Sequence, residues 1–269
     1  MLADTAAEES VADRRGGVGH PGHRLASMPF LLDPERFSAQ TRSPIAAERR
    51  LIACHATSLP PERPPELSEQ IAATLAEQGW CITDDFLPAL LVSQLRQEAQ
   101  ALWQAGKFRR AGVGRGTELR VRNEVRTDLV AWLDPDTLSA AQRLYWSQLE
   151  QLRLAVNRML FLGLRELEAH LAVYPPGTYY RKHLDQFRGI GERTLSCVLY
   201  LNEDWQAQDG GVLRIYTEPD APDASIAVLP RGGRLVSFFS ARFLHEVEPA
   251  TRERFSITGW FKRRSPLAG

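Results

Sequence analysis

Two histidines and one aspartate in the second half of the chain could form a metal centre. His183 and Asp185 are separated by a single residue, and His245 lies further downstream. Two imidazoles and a carboxylate supply three ligands to a metal ion that accepts up to six, so coordination positions would stay open for chemistry. A His-x-Asp pair also arises by chance in many proteins, and a strand histidine is more often packed in a core. The pair therefore needs support from its neighbours.

Arg254, nine residues after His245, is the strongest of those neighbours. Its planar guanidinium can hold a carboxylate through two parallel hydrogen bonds. The strand pattern places it on a mixed face, where a buried arginine needs an anion. Thr258, four residues on, and Tyr200 could complete the hydrogen bonding of the same carboxylate. The alternatives are a salt bridge to a protein carboxylate for Arg254 and an ordinary core position for Tyr200.

The sequence around these side chains alternates in the way that β-strands do. Over 194–201 and 254–262, apolar residues occupy one face and mixed residues the other. The apolar positions are Leu195, Cys197, Leu199, Leu201, Phe255, Ile257 and Phe261. An apolar face suits cover by helices, and a mixed face suits a ligand between two sheets. On an extended segment His183 and Asp185 would project to the same side, and His245 would come from a facing strand.

Helices are predicted ahead of these strands. Apolar residues recur at helical spacing over 67–79, which ends at a glycine, and again after Pro88 and over about 138–162. A short strand is expected at Trp80–Thr83. Glycine-rich turns then precede the strand segments VLRIY and RLVSFF. This order predicts an α+β fold, a double-stranded β-helix (jelly roll) buttressed by N-terminal helices.

Composition bounds the domain organisation and excludes several classes of protein. We expect residues 1–46 to be a disordered extension and 47–269 a single domain, with the helical buttress at about 64–165 and the jelly-roll core at about 166–263. Lys and Arg together number 33, as do Asp and Glu, so no net charge favours nucleic acid or a membrane surface. No apolar run approaches the roughly 20 residues of a membrane-spanning helix, and no secretion signal is evident. Three widely spaced cysteines are typical of reduced thiols, which favours a cytoplasmic protein.

Three stretches of the chain resemble the prolyl 4-hydroxylase group of Fe(II)/2-oxoglutarate dioxygenases, in particular the hypoxia-sensing prolyl hydroxylases and their bacterial relatives. They are YPPGTYYRKHLD, RTLSCVLYLNEDWQAQDGGVLRIY and FLHEVEPATRERFSITGWF. The stretches occur in the family's order and at compatible spacing over about 168–262. Upstream, EVRTDLVAWLD continues the similarity.

Position by position, the resemblance implies a set of metal ligands and a co-substrate pocket. The Fe(II) ligands would be His183, Asp185 and His245. Arg254 would hold the distal carboxylate of 2-oxoglutarate. The residues that would complete this pocket are Tyr200, Thr258, Tyr174 and Leu213. O2 would be the second co-substrate, and ascorbate is the candidate reductant.

The resemblance also implies residues near a peptide substrate. These are Tyr180, Arg193, Trp260 and Asp128. Asp128 is expected in a loop that closes over the substrate, where it would pair with Arg193. The basic, glycine-broken segment 108–126 would be the lid that helps to select a protein substrate. His170 shares a strand face with Tyr174 and could also approach the site, the alternative being an ordinary packed histidine.

The expected function is hydroxylation of a peptidyl proline in a protein substrate, with release of succinate and CO2. By analogy with bacterial relatives, a translation-machinery protein such as elongation factor Tu is the candidate substrate. One alternative is a dioxygenase that acts on another side chain or on a free amino acid. The other is a non-catalytic jelly-roll module with a structural or sensory metal, which would leave Arg254 and Thr258 without a carboxylate to hold.

Overall fold

The structure is a computed structural model that covers the C-terminal three quarters of the chain. It describes residues 66–263 with gaps at 113–121, 123, 187–192, 219–220 and 222. The predicted disordered extension over 1–46 and the middle of the predicted lid segment therefore lie outside the described residues. Within the described range, no helix combines the length and the apolar composition needed to cross a membrane.

Helices form in the described range where the apolar spacing predicted them. They are α1 (Leu67–Gln78), α2 (Ala89–Gln104) and α3 (Ala140–Leu160). Helix α1 ends at Gly79, whose φ of 85° is a left-handed conformation that glycine adopts at little cost. Helix α3 begins at Ser139, whose side chain accepts a hydrogen bond from the backbone N–H of Gln142. Such a cap stabilises a helix by about 1 kcal/mol.

The described residues also contain the strands that build the site. They are β1 (Trp80–Thr83), β2 (Arg109–Arg110), β3 (Leu129–Trp132), β4 (Leu164–Tyr174), β5 (Tyr180–His183), β6 (Arg193–Tyr200), β7 (Leu213–Tyr216), β8 (Ser225–Val228), β9 (Leu235–Phe239), β10 (His245–Val247) and β11 (Arg254–Arg263). The strands β1, β6, β7, β9 and β11 lie where the sequence predicted strands. Strand β3 was not predicted, because Leu129–Trp132 is apolar at every position and shows no alternation.

The strands form two antiparallel sheets. The larger sheet has the order β1-β9-β6-β11-β4-β3-β2, and the smaller sheet has the order β5-β10-β7-β8. Most neighbouring strands are not consecutive in the chain, as in β9-β6-β11-β4 and β5-β10-β7, which is typical of a jelly roll. Helices cover the outer face of the larger sheet, and its inner face packs with the smaller sheet. The predicted α+β jelly roll with a helical buttress is confirmed.

Side chains along β6 and β11 point alternately into two apolar layers, one against the helices and one between the sheets. Phe255, Ile257 and Phe261 are fully buried against the helices. Val198 and Tyr200 point the other way, into the layer between the sheets. Burying one large apolar side chain stabilises a fold by roughly 1.5–3 kcal/mol, and a one-residue slip of β11 would exchange its two faces. The helical layer therefore fixes which side chains of β11 reach the inner cavity.

Asn202 fixes the start of β11 and was not identified from the sequence. Its side-chain Nδ2 donates to the carbonyl oxygens of Pro230, at 2.8 Å, and Phe255, at 3.1 Å. Its Oδ1 accepts the backbone N–H of Phe255 at 2.7 Å. Since Asn202 is only 1% exposed, these backbone groups have no ready access to water. One side chain thus joins the end of β6 to the residue that follows Arg254.

We expect replacement of Asn202 with alanine to lower the free energy of unfolding by about 2–4 kcal/mol, because it leaves buried backbone donors and acceptors unsatisfied. Urea denaturation followed by circular dichroism measures this change. Gln151→Ala, at an exposed position of α3, is the control and should shift stability by less than about 0.5 kcal/mol. Equal effects of the two substitutions would show that the Asn202 hydrogen bonds are not structural.

Candidate active site

The three predicted metal ligands meet at one end of the smaller sheet. His183 is the last residue of β5, His245 is the first residue of β10, and the two are register partners. One ligand atom from each, and one from Asp185, all lie within 4.8 Å of one another. Two details of the prediction were wrong. Asp185 lies in a bend beyond β5, and His245 comes from the neighbouring strand of the same sheet.

Backbone carbonyls orient both imidazoles toward a common centre. Nδ1 of His183 lies 2.7 Å from the Arg181 carbonyl oxygen, and Nδ1 of His245 lies 3.0 Å from the Phe243 carbonyl oxygen. A carbonyl can only accept, so each Nδ1 carries the proton and Nε2 keeps its lone pair when the ring is neutral. The two Nε2 atoms lie 3.5 and 3.6 Å from the carboxylate oxygens of Asp185. This is the tautomer that metal-binding histidines use.

A hydroxyl pair that the sequence analysis missed holds the Asp185 carboxylate. The Ser196 hydroxyl donates to Oδ2 of Asp185 at 2.7 Å, and Ser240 lies 2.9 Å from the same hydroxyl. Burial alone would raise the pKa of Asp185. The nearby imidazoles have a larger opposite effect, of which His245 contributes the most, so the pKa lies well below its usual range. The carboxylate is therefore ionised and oriented at neutral pH. Two imidazole nitrogens and one ionised carboxylate fit Fe(II) as a facial triad.

Arg254 lies at the other end of the same cavity and is almost completely buried, at 1% exposure. Its Nε donates to the Gly211 carbonyl oxygen at 2.9 Å, and its guanidinium carbon lies 4.8 and 4.9 Å from the ring centres of Tyr174 and Tyr200. Among the described residues no carboxylate lies within ion-pair distance of it. The alternative of a protein salt bridge is thus unsupported in the described structure. The guanidinium therefore needs an anion that the described residues do not supply.

Gly211 makes this position possible for Arg254. A Cβ at residue 211 would lie 3.1 Å from Cδ of Arg254 and 3.1 Å from the Trp205 ring, closer than side chains normally approach. The residue also has a φ of 65°, which L side chains rarely adopt. Backbone and arginine can therefore lie in contact only because residue 211 is glycine.

Unpartnered polar atoms mark the inner wall of the larger sheet. Four buried side-chain atoms on this wall have no hydrogen-bond partner in the described structure: Tyr200 Oη, Ser256 Oγ, His170 Nδ1 and Trp260 Nε1. Leaving such an atom unsatisfied costs about 1–3 kcal/mol, so their clustering indicates a polar ligand. Tyr200 and Ser256 are register partners on β6 and β11, near Arg254. They suit the second oxygen of a carboxylate held by that arginine.

The remaining co-substrate residues predicted from the sequence are in the same place. Thr258, Tyr174 and Leu213 line the same cavity as Arg254 and the metal ligands. The cavity holds about 440 Å³ of space, its open mouth included. The predicted pocket residues therefore come together, with Tyr200 beneath the guanidinium.

Tyr180 lies against a metal ligand, and Asp128 is linked to Tyr180 through Arg126, a partner that was not predicted. The Tyr180 ring stacks on His183 at 3.5 Å, and the guanidinium carbon of Arg126 lies 4.1 Å from the centre of the Tyr180 ring. Arg126 donates from Nε and Nη2 to the two oxygens of Asp128, at 2.7 and 2.5 Å. The expected pair between Asp128 and Arg193 is wrong, because Arg126 already forms a bidentate pair with this buried carboxylate.

Arg193 and Trp260 form a second group at the edge of the cavity. The guanidinium carbon of Arg193 lies 3.6 Å from the Trp260 ring centre, and its Nε donates to Glu168 at 2.7 Å. Lys262 donates to the other oxygen of Glu168 at 3.1 Å. Glu168, which was not identified from the sequence, thus positions two cations near the end of β11 that is remote from Arg254.

We expect Glu168→Gln to destabilise the fold by roughly 1 kcal/mol at pH 7, a value reduced for the solvent screening of a partly exposed carboxylate. Burial raises the pKa of Glu168, but Arg193 and Lys262 together lower it more, so its pKa is depressed. Its contribution is therefore present above the pKa of an unfolded glutamate, about 4.3, and is lost as the pH falls through the folded value.

Denaturation midpoints at pH 7 and pH 3 measure this dependence on pH. The control is Glu166→Gln, because Glu166 is 70% exposed and lies 3.5 Å from the same lysine; it should change stability by less than about 0.5 kcal/mol at either pH. A destabilisation by Glu168→Gln that stays constant from pH 7 to pH 3 would contradict the assignment.

Comparison with known proteins places these features in a family. The model of the 2OG-Fe(II) oxygenase superfamily matches residues 169–262, which include every predicted ligand of the metal. Egl nine homolog 1 of Homo sapiens is 34% identical over 199 residues, which are 72% of this chain and 46% of that protein. This chain therefore spans about half the length of that relative.

Solved structures share both the sequence and the fold. A prolyl-4-hydroxylase from Pseudomonas putida is 42% identical with a TM-score of 0.66, over 74% of this chain and 100% of that chain. A prolyl hydroxylase from Trichoplax adhaerens, in complex with a peptide fragment of the hypoxia inducible factor oxygen degradation domain, is 29% identical with a TM-score of 0.64, over 73% of this chain and 89% of that chain. The resemblance found in the sequence is confirmed. The chain belongs to the prolyl hydroxylases of the 2-oxoglutarate–Fe(II) oxygenase superfamily.

Proposed function

We propose that the protein is an Fe(II)- and 2-oxoglutarate-dependent dioxygenase that hydroxylates a proline within a protein substrate and releases succinate and CO2. One observation carries the proposal. A buried arginine without a carboxylate partner among the described residues faces a two-histidine, one-carboxylate centre across a single cavity. The family's 2-oxoglutarate has a carboxylate for the arginine and a 2-oxo acid group for the metal.

The chain's own residues would divide the work between the two ends of the cavity. His183, Asp185 and His245 would hold Fe(II) and leave coordination positions open. Arg254 would fix the distal carboxylate of 2-oxoglutarate, with Tyr200 and Thr258 completing its hydrogen bonds. When bound, Fe(II) and 2-oxoglutarate would provide the chemistry by which O2 oxidises an unactivated C–H bond. Ascorbate would be the reductant that keeps the iron as Fe(II).

Features at the mouth of the cavity support a peptide substrate. The Tyr180 ring stacks on His183, and the Trp260 ring lies against the guanidinium of Arg193. Aromatic and cationic side chains of this kind bind a peptide through stacking against a proline ring and hydrogen bonds to its carbonyls. The Trichoplax relative was solved with a peptide fragment, which favours a polypeptide over a free amino acid.

The proposed substrate is a cytoplasmic protein of the translation machinery, with elongation factor Tu as the first candidate. Location in the cytoplasm is part of the proposal and is supported by Cys81 and Cys197, which are buried free thiols. Purified elongation factor Tu, incubated with the protein, Fe(II), 2-oxoglutarate and ascorbate, should gain 16 Da on a proline by peptide mass spectrometry. Asp185→Ala under the same conditions is the control.

Each other outcome of this assay corresponds to an alternative. Oxidation of a residue other than proline, or of a free amino acid, would replace the proposed substrate but keep the oxygenase. Absence of succinate under every condition, with metal still bound, would favour a non-catalytic metal module. Failure with elongation factor Tu but success with another proline-containing protein, captured from extract by Asp185→Ala, would change only the partner.

We expect Tyr200→Phe to affect stability and co-substrate affinity in opposite directions. The metal-free protein should gain up to about 2 kcal/mol, because a buried hydroxyl without a partner is removed. The Kd for 2-oxoglutarate should rise roughly tenfold, because a hydrogen bond to a charged group contributes about 1.5–3 kcal/mol. Burial raises the pKa of Tyr200 to about 12, so the hydroxyl is a donor at neutral pH.

Thermal unfolding and calorimetric titration of the Mn(II)-loaded protein measure the two effects. Tyr145→Phe is the matched control, because the Tyr145 hydroxyl is also buried and unpartnered but lies in the helical layer. It should gain stability without a change in 2-oxoglutarate affinity. A Tyr200→Phe variant that binds 2-oxoglutarate as tightly as the unmodified protein would remove Tyr200 from the pocket.

A further inference from the structure

His170 is a buried histidine that neither the metal centre nor the arginine pocket uses. It lies on the inner face of β4, is 3% exposed and lines the same cavity. Its Nδ1 has no hydrogen-bond partner in the described structure. An ordinary packed histidine has both ring nitrogens satisfied, since each unsatisfied buried atom costs about 1–3 kcal/mol. The ring therefore needs a partner that the described part of the chain does not supply.

Two tryptophans hold the His170 ring in one orientation. The Trp132 ring centre lies 4.9 Å away with the planes at 63°, and the Trp260 ring centre lies 5.2 Å away with the planes at 38°. Trp132 is its register partner on β3. A ring packed between two indoles cannot turn freely to find a partner elsewhere. Nδ1 is thus a positioned polar atom rather than a mobile one.

The register places His170 beside the predicted co-substrate residues. On β11, Thr258 is its direct partner, and Arg254 is the partner of Tyr174 on the same face of β4. Direct partners in an antiparallel pair have Cβ atoms about 4.5–5.5 Å apart. A molecule that reaches from Arg254 past Thr258 to the metal ligands would therefore pass the His170 ring.

The surroundings also determine which form of the imidazole is present. Burial lowers the pKa of His170 well below its usual range, and the cations of Arg126 and Arg193 lower it further. The ring is neutral at pH 7, and a neutral Nδ1 can carry the proton toward an oxygen. Trp260 Nε1, a donor only, is the other unpartnered atom on this part of the wall. Two donors together suit an anionic or carbonyl oxygen.

We propose that His170 is a further binding residue for 2-oxoglutarate, and that its Nδ1–H donates a hydrogen bond to a carboxylate oxygen of the bound co-substrate. This inference rests on the proposed function. It adds a neutral imidazole donor to a pocket otherwise based on Arg254 and two hydroxyls. The interaction increases the affinity for 2-oxoglutarate without adding a charge to the cavity.

The test is calorimetric titration of 2-oxoglutarate into Mn(II)-loaded protein, together with thermal unfolding of each metal-free variant. His170→Leu should raise the Kd roughly tenfold, as loss of one hydrogen bond to a charged group predicts. His170→Asn, whose side-chain nitrogen can replace Nδ1, should stay within about threefold of the unmodified protein. Tyr145→Phe should leave the Kd unchanged. His170→Phe serves as a second apolar variant in case His170→Leu does not fold.

The possible failures distinguish the two proposals. If the apolar variants bind 2-oxoglutarate within twofold of the unmodified protein, His170 is not a binding residue and the proposed function stands. If His170→Asn binds as poorly as His170→Leu, the contribution does not come from a hydrogen bond at Nδ1 and the inference is overturned. If the unmodified Mn(II)-loaded protein binds no 2-oxoglutarate, the proposed function fails and this inference fails with it.

Discussion

Replacement of Arg254 with alanine should raise the Kd for 2-oxoglutarate by roughly 100- to 1,000-fold. Truncating one partner of a buried, hydrogen-bonded charge pair costs about 2–5 kcal/mol, and each 1.4 kcal/mol is tenfold in affinity. Arg254 is 1% exposed, so its loss would leave the carboxylate without a guanidinium in a site that water hardly reaches. Arg254→Lys should be intermediate, because it keeps the charge and loses the second parallel hydrogen bond. Calorimetric titration of the Mn(II)-loaded variants measures both values.

Metal binding by the same variants shows whether a substitution affects only the 2-oxoglutarate pocket or the whole fold. Arg254→Ala should bind Mn(II) within about twofold of the unmodified protein, because the ligands lie on the other sheet. Arg214→Ala is the control: Arg214 pairs with Glu248 at 2.7 Å near the surface of the smaller sheet, and its loss should not alter co-substrate affinity. Unchanged affinity for 2-oxoglutarate in Arg254→Ala would refute the carboxylate pocket.

Replacement of Asp185 with asparagine should weaken Mn(II) and Fe(II) binding by at least roughly 100-fold. The substitution removes the only anionic ligand of the group and replaces one ligand oxygen by an amide nitrogen, which is a donor. The Ser196 hydroxyl, which donates to Oδ2, would still hold the side chain in place. Loss of affinity would therefore reflect ligand chemistry and not a displaced loop.

Electron paramagnetic resonance of free Mn(II) in the titrated sample measures this loss. Glu246→Gln is a close control, because Glu246 follows His245 directly and pairs with the Tyr216 hydroxyl at 2.5 Å instead of facing the centre. It should bind Mn(II) as the unmodified protein does. Mn(II) affinity in Asp185→Asn equal to that of this control would exclude Asp185 from the ligand set.

Features that depend on local periodicity could be predicted from the sequence. The faces of β6 and β11 follow from alternation alone, and with them the inward direction of Arg254 and Tyr200. Apolar spacing located α1, α2 and α3 to within a few residues. These predictions succeeded because each uses only the period of a single element.

Features that depend on pairing between distant strands could not be predicted in this way. The neighbourhood of His183 and His245 is set by which strands of the smaller sheet pair, and nothing local encodes that choice. The same holds for Ser196 beneath Asp185 and for Asn202 at the start of β11, since serine and asparagine are common at ordinary positions. Arg126 was assigned to a lid because of the position of its segment in the family resemblance, and its pair with Asp128 became evident only from the fold.

The separation of the two halves of the site between two sheets has a consequence for how the protein responds to its small molecules. The metal ligands lie on or next to β5 and β10, and the carboxylate pocket lies on β4, β6 and β11. A co-substrate that is held at both ends would act as a removable crosslink between the sheets. At 100 times its Kd, 2-oxoglutarate should then stabilise the metal-loaded fold by about 2.7 kcal/mol beyond the contribution of the metal. The resistance of the protein to unfolding would in this way depend on the concentration of 2-oxoglutarate around it.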